Sequence, residues 1–263
     1  MPRTMSPDHS IPGGTATLRT VFLASLVLFC LAALVLPALA QTQPEIAAPQ
    51  AILMDFESGT VLFEKAADTQ SAPGSIAKLM SLAVIFREIT EGRLSPDTEF
   101  KVSEYAWRRG GAPSGGATMF AALNSSIKVS DLLRGAIIPS GNDATIILAE
   151  GISGNELGFS VKMNEEAKRL GLAGSSFHNS NGLSDPDQKT TARDMAKIAT
   201  HIIRDYPDLY KIFSEPDFLW SKIRQSNRNP LLGMSLGADG FMTGYLKEGG
   251  FNLVGSAVQN NQR

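Results

Sequence analysis

The sequence predicts an α/β protein in which an antiparallel sheet, built from both ends of the chain, packs against helices. Three observations predict this class: a strand-like hairpin comes first, helical patterns fill the middle, and strand-like runs return late in the chain. The 263 residues are 43% hydrophobic and 19% charged, which is ordinary for a globular protein with a sizeable core.

The first 40 residues predict a secretory signal peptide. Arg3 and Arg19 flank a polar start, and residues 21–40 are then nearly all apolar and end in Ala-Leu-Ala. An apolar run of this length also suits an uncleaved membrane anchor, but the small-x-small ending favours cleavage after Ala40. Residues 41–50 are polar and contain proline, which is typical of a linker.

Cleavage at that point would remove the only cysteine, Cys30, so the mature chain would have neither a disulfide nor a thiolate nucleophile. Removing Arg3, Arg19 and Asp8 from the totals of 24 basic and 26 acidic residues leaves 22 and 25, a formal net charge of −3. The charge is negative and basic residues do not cluster, so we expect no nucleic-acid partner. The mature protein is expected to be exported, and at most loosely attached to a membrane surface.

Each element follows from a local pattern. Residues 51–56 and 60–64 alternate like strands around the turn Glu57-Ser58-Gly59. A helix opening at Ser75 and running to about Glu91 is apolar nearly all round, as expected at the centre of a domain. Further helices are predicted at 132–138, 143–150, 153–171 and 191–204, and further strands at 218–223, 241–246 and 251–258.

The helix at Ser75 carries the first chemical motif. Ser75 and Lys78 are three residues apart, so both side chains can lie on one helix face. A lysine amine with a lowered pKa can take the proton of a serine nucleophile, which suggests a covalent serine hydrolase. The spacing alone is weak, because Ser125 and Lys128 repeat it where the pattern indicates a turn entering an extended segment.

Two more motifs lie further along the chain. Ser140-Gly141-Asn142 stands between two short apolar helices, where a tight loop can aim both polar side chains into one cleft. The tripeptide recurs at residues 153–155, where Ser153 is well placed as a helix N-cap. The third motif, Asp-Gly-Phe-Met-Thr-Gly at residues 239–244, begins a late strand.

Together these motifs resemble those of the serine-type D-alanyl-D-alanine carboxypeptidases, the low-molecular-mass penicillin-binding proteins. Their order and rough spacing are similar, and so is the context at residues 73–80, 133–144, 177–183 and 191–195. The resemblance covers residues 47–263. It implies a β-lactamase/transpeptidase-like catalytic domain over residues 51–263, with a mostly helical subdomain beside the sheet.

The resemblance also implies a role for each site residue. Ser75 would attack the carbonyl between the two D-alanines that end a peptidoglycan stem peptide, and Lys78 would take its proton. The other implied roles are proton relay for Ser140, substrate binding for Asn142, Thr243 and Gly244, and an oxyanion hole made by the backbone N–H groups of Ser75 and Tyr245. No metal or organic cofactor is implied, β-lactam antibiotics would acylate Ser75, and the location would be the periplasm, with at most an attachment to the inner membrane.

The sequence departs from the family pattern in two places. Met242 stands where the family has a lysine, and a thioether supplies no positive charge to the cleft. The chain ends at Arg263, where the family continues with another strand and a long helix, followed by a β-domain and a membrane-surface helix. We therefore expect the last strand and helix of the catalytic fold to be missing and a sheet edge to be bare.

These departures keep two other hypotheses open. One is a weakly active or inactive homologue that binds cell-wall peptides, and the other is a serine β-lactamase; the Ser-Gly-Asn form of the second motif favours the peptidases. His178 and His201 are the only histidines after the signal segment, and neither has a carboxylate at metal-ligand spacing, so no metal site is predicted. Glu165 and Glu166 are expected on the solvated face of a helix.

Overall fold

The computed structural model describes residues 1–3 and 45–263, and residues 47–263 form one compact unit. The predicted signal peptide beyond residue 3 and the first four residues of the predicted linker lie outside the described residues. Among the described residues, no helix combines the length and the apolar character needed to cross a membrane.

In the described part of the chain, eight strands form four two-stranded antiparallel sheets, and in three of these sheets the two strands form a hairpin. The hairpin that was expected first is present, with a tight turn at Gly59, whose φ of 70° is left-handed. The strands are β1 Ala51–Met54, β2 Val61–Lys65, β3 Glu99–Lys101, β4 Ser126–Lys128, β5 Asp217–Trp220, β6 Ile223–Ser226, β7 Ala238–Leu246 and β8 Gly250–Ala257.

Seven α-helices lie between and beside these hairpins in the described part of the chain. They are α1 Lys78–Thr90, α2 Glu104–Gly110, α3 Val129–Ile137, α4 Asn142–Ser153, α5 Glu156–Arg169, α6 Ala192–Asp205 and α7 Pro207–Tyr210. A 3₁₀ turn, Gly74–Ala77, leads directly into α1. The first nine residues of α1 are all buried, which confirms the central position that its apolar surface predicts.

Two local predictions are wrong. The strand predicted at 218–223 is a hairpin, because Ser221 and Lys222 adopt left-handed φ angles of 47° and 66° and form a two-residue turn. The predicted N-cap at Ser153 is the last residue of α4 instead. The N-cap of α5 is Asn155, whose side chain accepts a hydrogen bond from the Gly158 N–H at 2.8 Å.

The hairpins from the two chain ends face each other across a cavity of about 680 Å³ lined by β1, α6 and β8. Within the described residues, strands pair only inside these two-stranded sheets, so β1 and β8 are not paired with one another. Isolated bridges, such as the one between Ser71 and Thr190, add the remaining pairing. The outer edges of β1 and β8 border the cavity instead, since no described strand lies between them. The Phe251 side chain on β8 is 88% exposed.

An aromatic cluster fixes β7 against α1. The ring centroid of Phe213 lies 6.4 Å from that of Phe86 on α1 and 5.1 Å from that of Phe241 on β7. Tyr210 packs against both Phe213 and Phe241. All four rings are buried, and such contacts stabilise beyond the area they remove from water. The cluster therefore sets where β7 passes the start of α1.

A buried carboxylate ties α1, α5 and α6 together, contrary to the expectation that Glu166 is solvated. Only 2% of the Glu166 side chain is exposed, whereas Glu165 is exposed as predicted. Glu166 accepts hydrogen bonds from Arg87 at 3.0 Å and from Arg169 at 2.5 Å, and His201 lies 3.5 Å away. Burial acts to raise the pKa of Glu166, but the hydrogen bonds from Arg169 and His201 and the charges of Arg169 and Arg87 lower it to about 2.

Because of these contacts, the free energy of unfolding should depend on pH in the acidic range. Because the pKa of Glu166 is lowered on folding, its contribution is present above the ordinary glutamate value and is lost as the pH falls towards about 2. We expect Glu166→Gln to lower the free energy of unfolding at pH 7 by about 2 kcal/mol. The difference from wild type should shrink between about pH 4.5 and pH 2 in urea unfolding. The exposed neighbour provides the control: Glu165→Gln should leave both measurements unchanged, and an equal effect of the two substitutions would contradict the assignment.

Candidate active site

Ser75 and Lys78 lie side by side at the entrance to α1. Ser75 is the second residue of the 3₁₀ turn, and Lys78 begins the α-helix. The Nζ atom of Lys78 lies 3.0 Å from the Ser75 Oγ atom. Ser75 is partly exposed, whereas Lys78 is fully buried, so the pair presents a hydroxyl to the surface with an amine behind it.

Two further acceptors surround the buried amine. Lys78 Nζ donates hydrogen bonds to the Asn142 Oδ1 atom at 2.7 Å and to the Asn181 carbonyl oxygen at 2.8 Å. Burial, and secondly the charge of Arg228, lower the pKa of Lys78 to about 7, while the charge of Asp143 opposes them. A neutral amine would keep two N–H bonds for the asparagine oxygens and turn its lone pair towards the Ser75 hydroxyl.

The second motif forms the junction between α3 and α4. Ser140 adopts a left-handed φ of 58°, an uncommon conformation for a residue with a side chain, and only 3% of the residue is exposed. The Gly141 N–H donates to the Gly135 carbonyl at 2.8 Å, and the Asn142 N–H donates to the Ala117 carbonyl at 2.8 Å. The loop is thereby held on both sides, and Asn142 is aimed at Lys78.

Asp143 anchors this junction. Its buried carboxylate accepts hydrogen bonds from the Thr118 hydroxyl at 2.6 Å and from the backbone N–H groups of Met119, Ala121 and Ala144 at 2.9–3.0 Å. Four donors converge on one carboxylate, so the residues before and after Asp143 have little freedom. This explains the position of Asn142, which directly precedes it.

The third motif passes close to the nucleophile along β7. A Cβ atom built on Gly244 would lie 2.9 Å from the Ser75 nitrogen, and one built on Gly74 would lie 3.2 Å from the Tyr245 nitrogen. Glycine at 74 and 244 therefore allows the two backbones to run in van der Waals contact. The backbone N–H groups of Ser75 and Tyr245 lie in neighbouring segments, with Thr243 partly exposed beside them.

Met242 is part of the core and does not face the solvent. Only 2% of it is exposed, and Phe241 before it adopts a positive φ of 97° next to a register shift in β7. Consecutive strand residues normally point to opposite faces, but here both are buried. At this position, therefore, β7 brings an uncharged thioether into the core.

The loop around Asn181 also contributes to the site, although none of the three motifs points to it. This residue acts through its backbone carbonyl, which leaves no side-chain signal in a sequence. The loop is held by Glu156, whose carboxylate accepts from the Ser180 N–H at 3.1 Å and the Ser180 hydroxyl at 2.6 Å. Gly182 is required here, because a Cβ atom on it would lie 1.9 Å from the Gly74 carbonyl oxygen.

The second Ser-x-x-Lys sequence has none of this geometry. Lys128 is exposed at the end of β4 and forms an ion pair with Asp97 at 3.0 Å. The Ser125 hydroxyl donates to the Ala122 carbonyl at 2.7 Å. The pair therefore lies in the extended segment that the sequence predicts, and not on a helix face.

The histidines also have structural surroundings. His201 is buried on α6, with its Nδ1 atom 2.5 Å from Asp205, and the His178 N–H donates to the Gln188 side chain at 2.9 Å. Within residues 1–3 and 45–263, no group of three or more histidine, cysteine, aspartate or glutamate residues could hold a metal ion.

Fold and site together define the penicillin-binding-protein class, with a serine–lysine pair at the entrance to a buried helix. The family model described as D-alanyl-D-alanine carboxypeptidase matches residues 38–263. The chain therefore belongs to the D-alanyl-D-alanine carboxypeptidase family, and the predicted fold class is confirmed.

Individual relatives agree with this assignment. The chain is 42% identical over 221 residues to the D-alanyl-D-alanine carboxypeptidase DacA of Haemophilus influenzae, matching 84% of this chain and 56% of the relative. It is 40% identical over 222 residues to DacC of Escherichia coli, again matching 84% and 56%. Penicillin binding protein 5 from Haemophilus influenzae superposes with a TM-score of 0.80 at 42% identity, covering 84% of this chain and 64% of that one. The chain thus spans little more than half the length of these curated relatives.

The anchoring role of Asp143 can be tested by stability. We expect Asp143→Ala to lower the free energy of unfolding by about 3 kcal/mol, because several buried donors lose their acceptor at once. Asp97→Ala removes a carboxylate of the same type from an exposed ion pair and should leave stability nearly unchanged. Chemical denaturation of both variants measures the difference, and similar midpoints would contradict the anchoring role.

Proposed function

We propose that this protein is a serine-type D-Ala-D-Ala carboxypeptidase that removes the terminal D-alanine from peptidoglycan stem peptides. The observation that carries the proposal is the 3.0 Å contact between Ser75 Oγ and the Nζ atom of Lys78, a buried amine with a pKa lowered to about 7. An amine with that pKa is partly neutral at physiological pH and can act as a general base. The family names of the relatives supply the substrate class.

In the first step Ser75 Oγ attacks the carbonyl carbon between the two D-alanines, and its proton passes to Lys78 Nζ. The backbone N–H groups of Ser75 and Tyr245 stabilise the oxyanion. The carbon–nitrogen bond then breaks, and Ser140 relays the proton from Lys78 to the leaving D-alanine amine. Water hydrolyses the acyl-enzyme and regenerates Ser75.

The side chains of Asn142 and Thr243 and the backbone at Gly244 position the substrate in this proposal. The Asn142 amide hydrogen-bonds the peptide backbone, and the Thr243 hydroxyl contacts the terminal carboxylate. Gly244 leaves room for the scissile bond against β7, and Met242 contributes packing without charge. A β-lactam amide would acylate Ser75 in the same way as the substrate carbonyl. Its substrate places the enzyme outside the cytoplasm, consistent with the predicted export signal.

Acylation by penicillin tests the nucleophile directly. We expect folded protein incubated with a fluorescent penicillin to gain one adduct, located on Ser75 by intact-mass and peptide mass spectrometry. Ser75→Ala should abolish the adduct. Ser125→Ala, which alters the other Ser-x-x-Lys sequence, should leave it unchanged. A folded wild-type protein that forms no adduct would instead support the hypothesis of a non-catalytic homologue, and rapid turnover of penicillin would support a β-lactamase.

The rate of acylation should also depend on pH. Lys78 must be unprotonated to accept the Ser75 proton, so the rate should rise with pH and reach half its limiting value near pH 7. Stopped-flow measurement between pH 5 and pH 9 checks this. Lys128→Met should show the same profile as wild type. A profile that is still rising steeply at pH 9 would mean that Lys78 has an ordinary lysine pKa.

A further inference from the structure

A segment outside the three motifs reaches the site from the side of β7. Residues 227–229 follow β6, and their backbone is fixed to two parts of the site. The Arg228 N–H donates to the Ile138 carbonyl at 3.1 Å, just before Ser140, and the Thr243 hydroxyl lies 3.5 Å from the Arg228 carbonyl oxygen. Arg228 therefore lies between the second and third motifs.

Both neighbours of Arg228 make this segment rigid. Asn227 donates from its side chain to the carbonyl oxygens of Phe213 and Glu215 at 3.1 and 2.9 Å. Asn229 is 97% buried and donates to the Gly240 carbonyl at 3.0 Å on β7. The backbone that carries Arg228 is thus fixed, whatever its side chain does.

The guanidinium group of Arg228 has no partner in the described part of the chain. Arg228 is exposed, and within the described residues it forms no ion pair and no side-chain hydrogen bond. Most other arginines of the described chain are paired with carboxylates, as Arg87, Arg134 and Arg193 are. The charge of Arg228 is therefore not neutralised by a partner, and its backbone is fixed beside residues of the second and third motifs.

We propose, building on the proposed function, that the Arg228 guanidinium supplies the positive charge of this cleft and keeps Lys78 in its neutral, proton-accepting form. Met242 cannot do so, because its side chain is uncharged and buried. Arg228 acts through Lys78, so it is a positioning residue. It also occurs outside the three motifs, in a part of the sequence that carries no recognisable pattern.

The electrostatics of Lys78 agree with this geometry. Burial lowers its pKa most, and the charge of Arg228 lowers it further. The opposing group is Asp143 on α4, whose charge raises the pKa of Lys78. Glu156 on α5 faces the Asn181 loop, where its carboxylate accepts hydrogen bonds from the side chains of Ser180 and Asn181. Removing the Arg228 charge should therefore raise the pKa of Lys78.

The test measures Lys78 directly by carbon NMR of the full chain labelled at the lysine Cε, with Lys78→Arg identifying the signal. We expect a midpoint near pH 7 in wild type and a rise of roughly half to one pH unit in Arg228→Gln. Arg228→Lys should keep the wild-type midpoint. Lys222→Gln, which removes an exposed charge at the distant β5–β6 turn, should also keep it.

The rate of penicillin acylation of the same variants shows whether the change at Lys78 affects the reaction. At pH 7 Arg228→Gln should be roughly two- to sixfold slower, and the rate should recover at high pH. An unchanged Lys78 midpoint in folded Arg228→Gln overturns the inference, as does a rate that falls equally at every pH, which would indicate contact with the ligand alone. Failure of the proposed function is a separate result: wild type would form no adduct at any pH, while the NMR midpoints would still decide the role of Arg228.

Discussion

A fully buried lysine amine is the constraint on which the other features of this site depend. Removing an amine from water disfavours its charged form, and unless partners surround it the cost is several kcal/mol. Here the partners are an asparagine side chain, a backbone carbonyl and the serine hydroxyl, and they come from three separate stretches of the chain. Each stretch must be held in place for the amine to be both buried and reactive.

The rest of the structure can be understood as the means of holding those stretches. The aromatic cluster places β7 beside α1, the Asp143 carboxylate fixes the start of α4, and the Glu156 carboxylate fixes the Asn181 loop. None of these groups touches Ser75. The reactivity of the pair thus depends on residues that do not contact it, since the carboxylates of Asp143 and Glu156 each accept several hydrogen bonds from the surrounding loops.

Much of this arrangement could be predicted from the sequence, and what could not has a common cause. Helical spacing identifies Ser75 and Lys78, and a loop between two helices identifies Asn142. All three can be predicted because they contribute through their side chains. Asn181 contributes a carbonyl oxygen, which every residue has, so its identity gives no signal. Glu166 looks like any charged helix residue until the packing of α1 and α6 against α5 is known. The β5–β6 turn was missed because Ser221 and Lys222 are not the glycine and asparagine that usually mark left-handed turns.

Three backbone segments approach each other near the nucleophile at Gly74, Gly182 and Gly244. This close approach requires that these residues have no Cβ atom. Side-chain truncation, the usual way of mapping an active site, deletes atoms and so cannot sense it. At these glycines an alanine substitution adds a methyl group. A loss of activity there would therefore report a steric clash and not the loss of a contact. The substitutions that the site tolerates are therefore limited by the space around these backbones as well as by the functional groups. A list of the functional groups alone would leave out the positions at which a side chain cannot be added.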